Sequence, residues 1–181
     1  MNQKGNLKYQ KTHSEILESV LNFLNEKELR KITVAEICRN VGINRSTFYE
    51  HFCDVYDVLE KTEHDYEVCM AEIIREKLGI SRRQMFIEIL QFIKENRNFY
   101  ARYYALGNII KISDEILLGD ISYYKKEVID SRFGRDNRES EYHLAFFRGG
   151  INAILKKWID NSCNESEEYI FNLLVNEYGI R

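Results

Sequence analysis

Residues Ile32 to Phe52, ITVAEICRNVGINRSTFYEHF, constrain this chain more than any other stretch, because they prescribe two short helices and the turn between them. Thr33 followed three residues later by Glu36 has the form of a capping box, in which each residue's side chain satisfies the other's backbone N–H. The first helix is expected over about residues 34–40, with Val34, Ile37 and Val41 on one buried stripe. Gly42 then stops it in a positive-φ conformation that glycine adopts at low cost. Ile43 is the apolar residue of the turn and Asn44 the next N-cap. The second helix follows from Arg45, with Phe48 and Phe52 four apart on its buried side.

What this helix leaves outside is short and polar. Ser46 and Thr47 let a backbone approach a groove floor, and their hydroxyls suit base edges or phosphate. Arg45 suits a guanine edge or a phosphate. Tyr49 and His51 are expected further along, as donors to phosphate oxygens at the groove wall. The N–H groups at the starts of both helices add anion affinity. Such a layout fits a helix seated in the major groove of DNA.

The block resembles the N-terminal domain of the TetR family of bacterial transcription regulators. The likeness starts near Lys11-Thr12, runs through Ile16, Val20 and Leu24, and closes with Ile32-Thr33-Val34, the run from Gly42 to Tyr49, and His51-Phe52. It implies phosphate and base contacts at Thr33, Arg45, Ser46, Thr47, Tyr49 and His51. The family often has a lysine three residues after the last Phe, where it touches phosphate. Val55 stands there in this chain, and the neighbouring Tyr56 hydroxyl is the expected substitute. A second likeness, carried by Gly149-Gly150, Leu155-Lys156-Lys157-Trp158-Ile159 and Ser166-Glu167-Glu168, is to the C-terminal domain of Firmicutes-type relatives.

With 181 residues and 0 Pro, the chain has room for two units and lacks the strongest helix breaker. The expected fold is all-α. A three-helix helix-turn-helix DNA-binding domain over residues 1–53 precedes a helical bundle for ligand binding and dimerisation over 54–181. A first helix from about Lys8 or Thr12 to Glu28 covers the reading unit. Asp54 caps a long helix to about Leu78, which would join the units rigidly. Ser81 and Gln84 suggest another capping box, opening a helix with Phe86, Ile89, Leu90 and Ile93 inside. A helix over 96–106 ending at Gly107, one or two helices over 109–133 broken near Gly119, a polar loop over 134–140, and helices over 141–161 and 166–178 complete the reading.

Charge is uneven. Residues 1–52 hold eight Lys or Arg against six Glu, while the remainder holds 18 basic and 23 acidic residues. The positive excess lies with the reading helix, as attraction to a polyanion requires, but it is too small for sequence-independent coating of DNA. Cys38, Cys53, Cys69 and Cys163 form no C-x-x-C pair and no zinc-finger spacing, so reduced thiols and no metal are expected. His51 and Cys53 are neighbours in sequence, but alternation on a helix points their side chains apart. No long apolar run and no secretory signal are evident, so a cytoplasmic protein is expected.

Two further sites are suggested by the second unit. Ala145, Gly149 and Ala153 make a small-residue face on one helix, and a glycine inside a helix costs about 1 kcal/mol, which close helix approach can offset. With Ile170 and Leu174 from the last helix, they form a candidate dimer interface of four-helix-bundle type. Phe99, Tyr103 and Phe147, with Arg102 and Arg148 among them, are candidate walls of a small-molecule pocket, although aromatics at helical spacing are equally suited to plain core. The expected function is a dimeric repressor on a roughly palindromic operator, with affinity controlled by an effector and with no cofactor. An adaptor acting through protein contacts with weak DNA binding is the alternative. No nucleophile–base pair, phosphate-binding glycine loop or metal set argues for an enzyme.

Overall fold

The computed structural model describes residues 3–77, 80–110 and 137–178. Among the described residues the ordered structure is helical, with no strand, so the fold is all-α. The helices are α1 (Gln3–Phe23), α2 (Val34–Val41), α3 (Arg45–His51), α4 (Val55–Lys77), α5 (Arg82–Glu95), α6 (Arg97–Ala105), α7 (Asn137–Asp160) and α8 (Glu167–Tyr178), with a 3₁₀ turn at Leu29–Lys31. The chain forms two compact units, Met1–Val68 and Cys69–Arg181.

In the first unit α1 packs on α2 and α2 on α3. Its core is Ile16, Val20, Ile37, Phe48, Phe52 and Val58, each at most 1% exposed. On α2 the buried positions are Ile37 and Cys38, whereas Val34 and Val41 are half-buried, so the stripe is narrower than its spacing suggests. This compact unit runs to Val68, and Val55, Val58, Leu59 and Thr62 on the first turns of α4 are buried. Helix α1 starts earlier and ends earlier than expected. After Phe23 the backbone turns, with the Lys27 N–H donating to Phe23 O at 3.0 Å, and the Asn25 side chain donates to Leu21 O at 3.3 Å.

In the second unit α5 packs on α8 and on α6, and α6 on α7. Met85, Ile89, Ile93, Phe99, Leu155 and Trp158 form its centre. Salt bridges Arg83–Glu168 (2.6 Å) and Lys94–Glu167 (3.0 Å) run along the α5–α8 seam. The Tyr104 hydroxyl donates to Asn152 Oδ1 at 2.9 Å inside the α6–α7 contact. The cap on α5 is half of what the sequence suggests. Ser81 Oγ accepts from the Gln84 N–H at 3.2 Å, but the Gln84 amide turns away to Glu88. Helix α7 begins at Asn137, inside the expected loop. The helices expected over 109–133 and their break near Gly119 lie almost wholly outside the described residues.

The turn between α2 and α3 rests on Gly42, at φ 78° and ψ 33°. Its N–H donates to Cys38 O at 2.9 Å and the Ile43 N–H to the same oxygen at 3.0 Å. A Cβ there would meet no atom within 4 Å, so a side chain costs only backbone strain. Gly42→Ala is therefore expected to destabilise the protein by about 1 kcal/mol. Thermal unfolding checks this, and an unchanged or raised Tm contradicts the strained turn.

Candidate nucleic-acid interface

Both helices of the motif are built by local chemistry. Thr33 is extended at φ −115°, and its Oγ1 accepts from the Glu36 N–H at 3.3 Å. Glu36 Oε2 accepts from the Thr33 N–H at 3.0 Å and from the Thr33 hydroxyl at 2.8 Å, which completes the capping box. Lys27 Nζ lies 2.7 Å from Glu36 Oε1, so the carboxylate beside the start of α2 is neutralised. Asn44 is extended at the start of α3 but makes no side-chain cap bond, contrary to its expected role.

Helix α3 has only seven residues and leans on what surrounds it. Phe48 and Phe52 are buried beneath it. Its last turn is fixed from α4, where Lys61 Nζ donates to His51 O at 3.1 Å and pairs with Asp57 Oδ2 at 3.0 Å. Asp54 Oδ1 accepts from the Asp57 N–H at 2.8 Å and Asp57 Oδ2 from the Cys53 N–H at 2.6 Å, so the two carboxylates lock the α3–α4 corner. Asp57 beside Lys61 raises the ammonium above its ordinary value.

On the opposite face of α3, Arg45, Ser46 and Tyr49 are exposed and Thr47 is half-exposed. Tyr49, 56% exposed, stands edge-on to Phe48 at 5.6 Å between centroids. Thr33 is exposed at the start of α2. At the start of α4, Val55 is buried and Tyr56 is half in solvent. Thr33, Arg45, Ser46, Thr47, Tyr49 and Tyr56 thus make up the solvent-accessible polar set of the motif.

His51 does not belong to it. It was expected on the outer face as a phosphate donor, yet it is 5% exposed. The reason is angular. Three residues after Phe48, its Cα sits only about 60° around the helix from that anchor. There the start of α1 covers it, with the Tyr9 ring stacked at 4.0 Å and His13 at 5.7 Å between centroids. Its Nδ1 is buried and accepts or donates no hydrogen bond. Sequence reasoning missed Tyr9, His13, Asp57 and Lys61. The D-x-x-D spacing after Phe52 and the i,i+4 pairs Asp57–Lys61 and Tyr9–His13 were the available signals.

In the second unit Ile170 and Leu174, expected at a dimer face, are buried within the protomer, four apart on α8. Ala145, Gly149 and Ala153 are exposed on α7. Among the described residues, a Cβ on Gly149 would meet nothing within 4 Å. A groove of about 370 Å³ lies between α7 and α8, lined by Gly150, Ala153, Trp158, Tyr169 and Leu173 among others. Of the suggested pocket residues, Phe99 and Tyr103 are buried and stacked on each other at 5.4 Å, Arg102 is half-buried and Arg148 exposed; none of these four lines the groove. The side chain of Phe147 lies outside the described residues.

A family model described as the transcriptional regulator C-terminal region, TetR_C_8, matches residues 82–176, more than half of the chain. The chain belongs to the TetR family of transcriptional regulators. Solved structures agree on the fold of this TetR-family protein. A dihydroxyacetone kinase operon activator, DhaS, is 21% identical over 91% of this chain and 92% of its own, with a TM-score of 0.52. A TetR regulator from Streptococcus agalactiae is 17% identical over 97% and 98%, with a TM-score of 0.55. The fatty acid degradation regulator FadR from Bacillus halodurans is 15% identical over 94% and 97%, also at 0.55. No curated protein matches the sequence. Among the described residues of this TetR-family protein, no helix is long and apolar enough to cross a membrane, and no cluster of three or more His, Cys, Asp or Glu has metal-binding geometry.

The Lys27 and Thr33 hydrogen bonds hold the Glu36 carboxyl down to about 2, from an ordinary 4.5. A depressed carboxylate contributes stability that is complete above its unfolded value and is lost as pH falls towards the folded one. Titration of the Glu36 carboxyl by NMR should give a midpoint near the lower figure. A midpoint near 4.5 would show that the box is open in solution.

Proposed function

We propose that this TetR-family regulator binds a roughly palindromic DNA operator as a homodimer and acts as a repressor whose affinity is set by a ligand in its second unit. The observation that carries the reading is the two-sidedness of α3. Two buried aromatics fix its inner face, and Arg45, Ser46, Thr47 and Tyr49 are left facing outward. Ser46 and Thr47 are assigned to base edges, and Arg45, Tyr49, Thr33 and Tyr56 to phosphates or the adjoining edge. His51 has no place in this contact set. In a dimer the two α3 helices would enter successive major grooves about 34–36 Å apart.

The stripe of α7 formed by Tyr142, Phe146, Gly149 and Ala153 supports self-association. Tyr142 is 79% and Phe146 69% exposed, which is unusual for aromatics outside an interface. These positions follow helical spacing, and Tyr169 of α8 extends the surface. Phe99, Tyr103, Arg102, Arg148 and Phe147 remain the proposed effector-facing set. Helix α4 begins in the first unit and ends in the second, so it is the element through which a bound effector would bias α3.

Selection of duplexes from a random-sequence pool tests the reading. An inverted repeat should be enriched, bound about 10³-fold or more tightly than unselected DNA at physiological salt. Equal affinity for selected and unselected duplexes across salt concentrations would sink it and favour the adaptor alternative. Separately, Gly149→Leu should leave the fold intact and make the protein monomeric by light scattering. An intact dimer would remove α7 from the interface.

A further inference from the structure

We propose that the pair formed by buried His51 and half-buried His13 is a proton-binding site that releases the reading helix when it takes up charge. The proposal rests on the reading of α3 as the DNA-contacting element. Its geometry lies wholly within the first unit. His51 closes α3, its ring enclosed by Tyr9 at 4.0 Å and His13 at 5.7 Å, while His13 also lies against Phe52 at 4.4 Å. The Nδ1 atoms of both histidines are buried and have no hydrogen-bond partner. Neutral imidazoles tolerate this. An imidazolium carries a proton on both nitrogens, so it would hold a charged donor without an acceptor in a space shared with a second imidazole.

The groups facing the pair come from three helices. From α1 there is Tyr9, stacked on His51. From α3 there is Glu50, which favours a proton on His51. From α4 there are Asp65, which favours a proton on His13, and Lys61, which opposes protonation of both. Lys61 is itself paired with Asp57 and lies near Cys53. Burial is the largest influence on each ring, and it holds both histidines below the ordinary 6.5. For a base held low in the folded state, the closed arrangement is fully stable above the unfolded value and loses stability as pH falls through and below it. Proton uptake therefore favours a state in which His51 leaves its enclosure. The bond from Lys61 to His51 O then breaks, and α3 loses the support of its last turn.

The sign distinguishes this site from a phosphate contact. A histidine on the DNA surface would bind more tightly when protonated, whereas this enclosed pair predicts weaker binding in acid. The test uses the full chain, a duplex selected from a random pool, and affinities at about pH 7.5 and about pH 5.5, the range over which histidine titrates. The wild type should weaken towards acid, by up to about tenfold per pH unit for each proton taken up by the opened state. His13→Phe, which keeps an apolar ring against Phe52, should bind like the wild type at the higher pH and lose much of the acid effect. Constant or rising wild-type affinity in acid overturns the proposal, as does a variant whose pH profile parallels the wild type.

NMR titration of the imidazoles in the DNA-free wild type decides the case where the variant misfolds or no duplex is enriched. Both should titrate below 6.5, the His51 ring with a loss of its contact to Tyr9. If no duplex is enriched at the higher pH, the DNA reading fails while this titration still judges the pair. A His51 midpoint at or above 6.5 rejects the site regardless of DNA binding.

Discussion

Burial of Phe48 and Phe52 is the interaction on which the reading unit depends. Full burial of one such side chain stabilises by roughly 1.5–3 kcal/mol, more than a seven-residue helix gains from its own hydrogen bonds. The helix therefore takes whatever orientation lets both rings enter the space beside Ile16, Val20 and Ile37. Once they are inside, the outward direction of Ser46 follows from helix geometry alone. Gly42 sets the turn that brings α3 to this position, and Lys61 and Asp57 hold its far end. The polar face is thus a consequence of the core.

Features determined within a few residues were legible in the sequence. The Thr33–Glu36 box, the left-handed Gly42 and the inward aromatics are encoded by neighbours three or four positions apart. The approximate extents of α2, α3, α4 and α5 followed for the same reason. Features that depend on distant segments were not legible. His51 lies on the flank of α3, where spacing alone leaves its environment undecided; Tyr9 and His13, about 40 positions earlier, settle it. Ile170 and Leu174 form an apolar stripe that the sequence displays, but the stripe does not state whether α5 or a second protomer covers it. Within the protomer both side chains are already buried.

The two units draw on different physics. The first presents a polar face over a small apolar centre, with cations at Lys27 and Lys61 committed to carboxylates of the same unit. The second is aromatic-rich, closed by ion pairs along α5 and α8 and by the Tyr104–Asn152 hydrogen bond between α6 and α7. Of its exposed aromatics, Tyr142 and Phe146 lie on α7 and Tyr169 on α8. Family membership rests on this second unit, through the match over residues 82–176, while the proposed chemistry of recognition rests on the first.

The central claim is that the outward face of α3 meets DNA. Backbone amide shifts of the full-length protein, followed while a selected duplex is added, test it most directly. The account predicts the largest changes at Arg45, Ser46, Thr47 and Tyr49, with smaller ones at Thr33 and Tyr56. Changes confined to other helices, with those six amides unmoved at saturation, would contradict it.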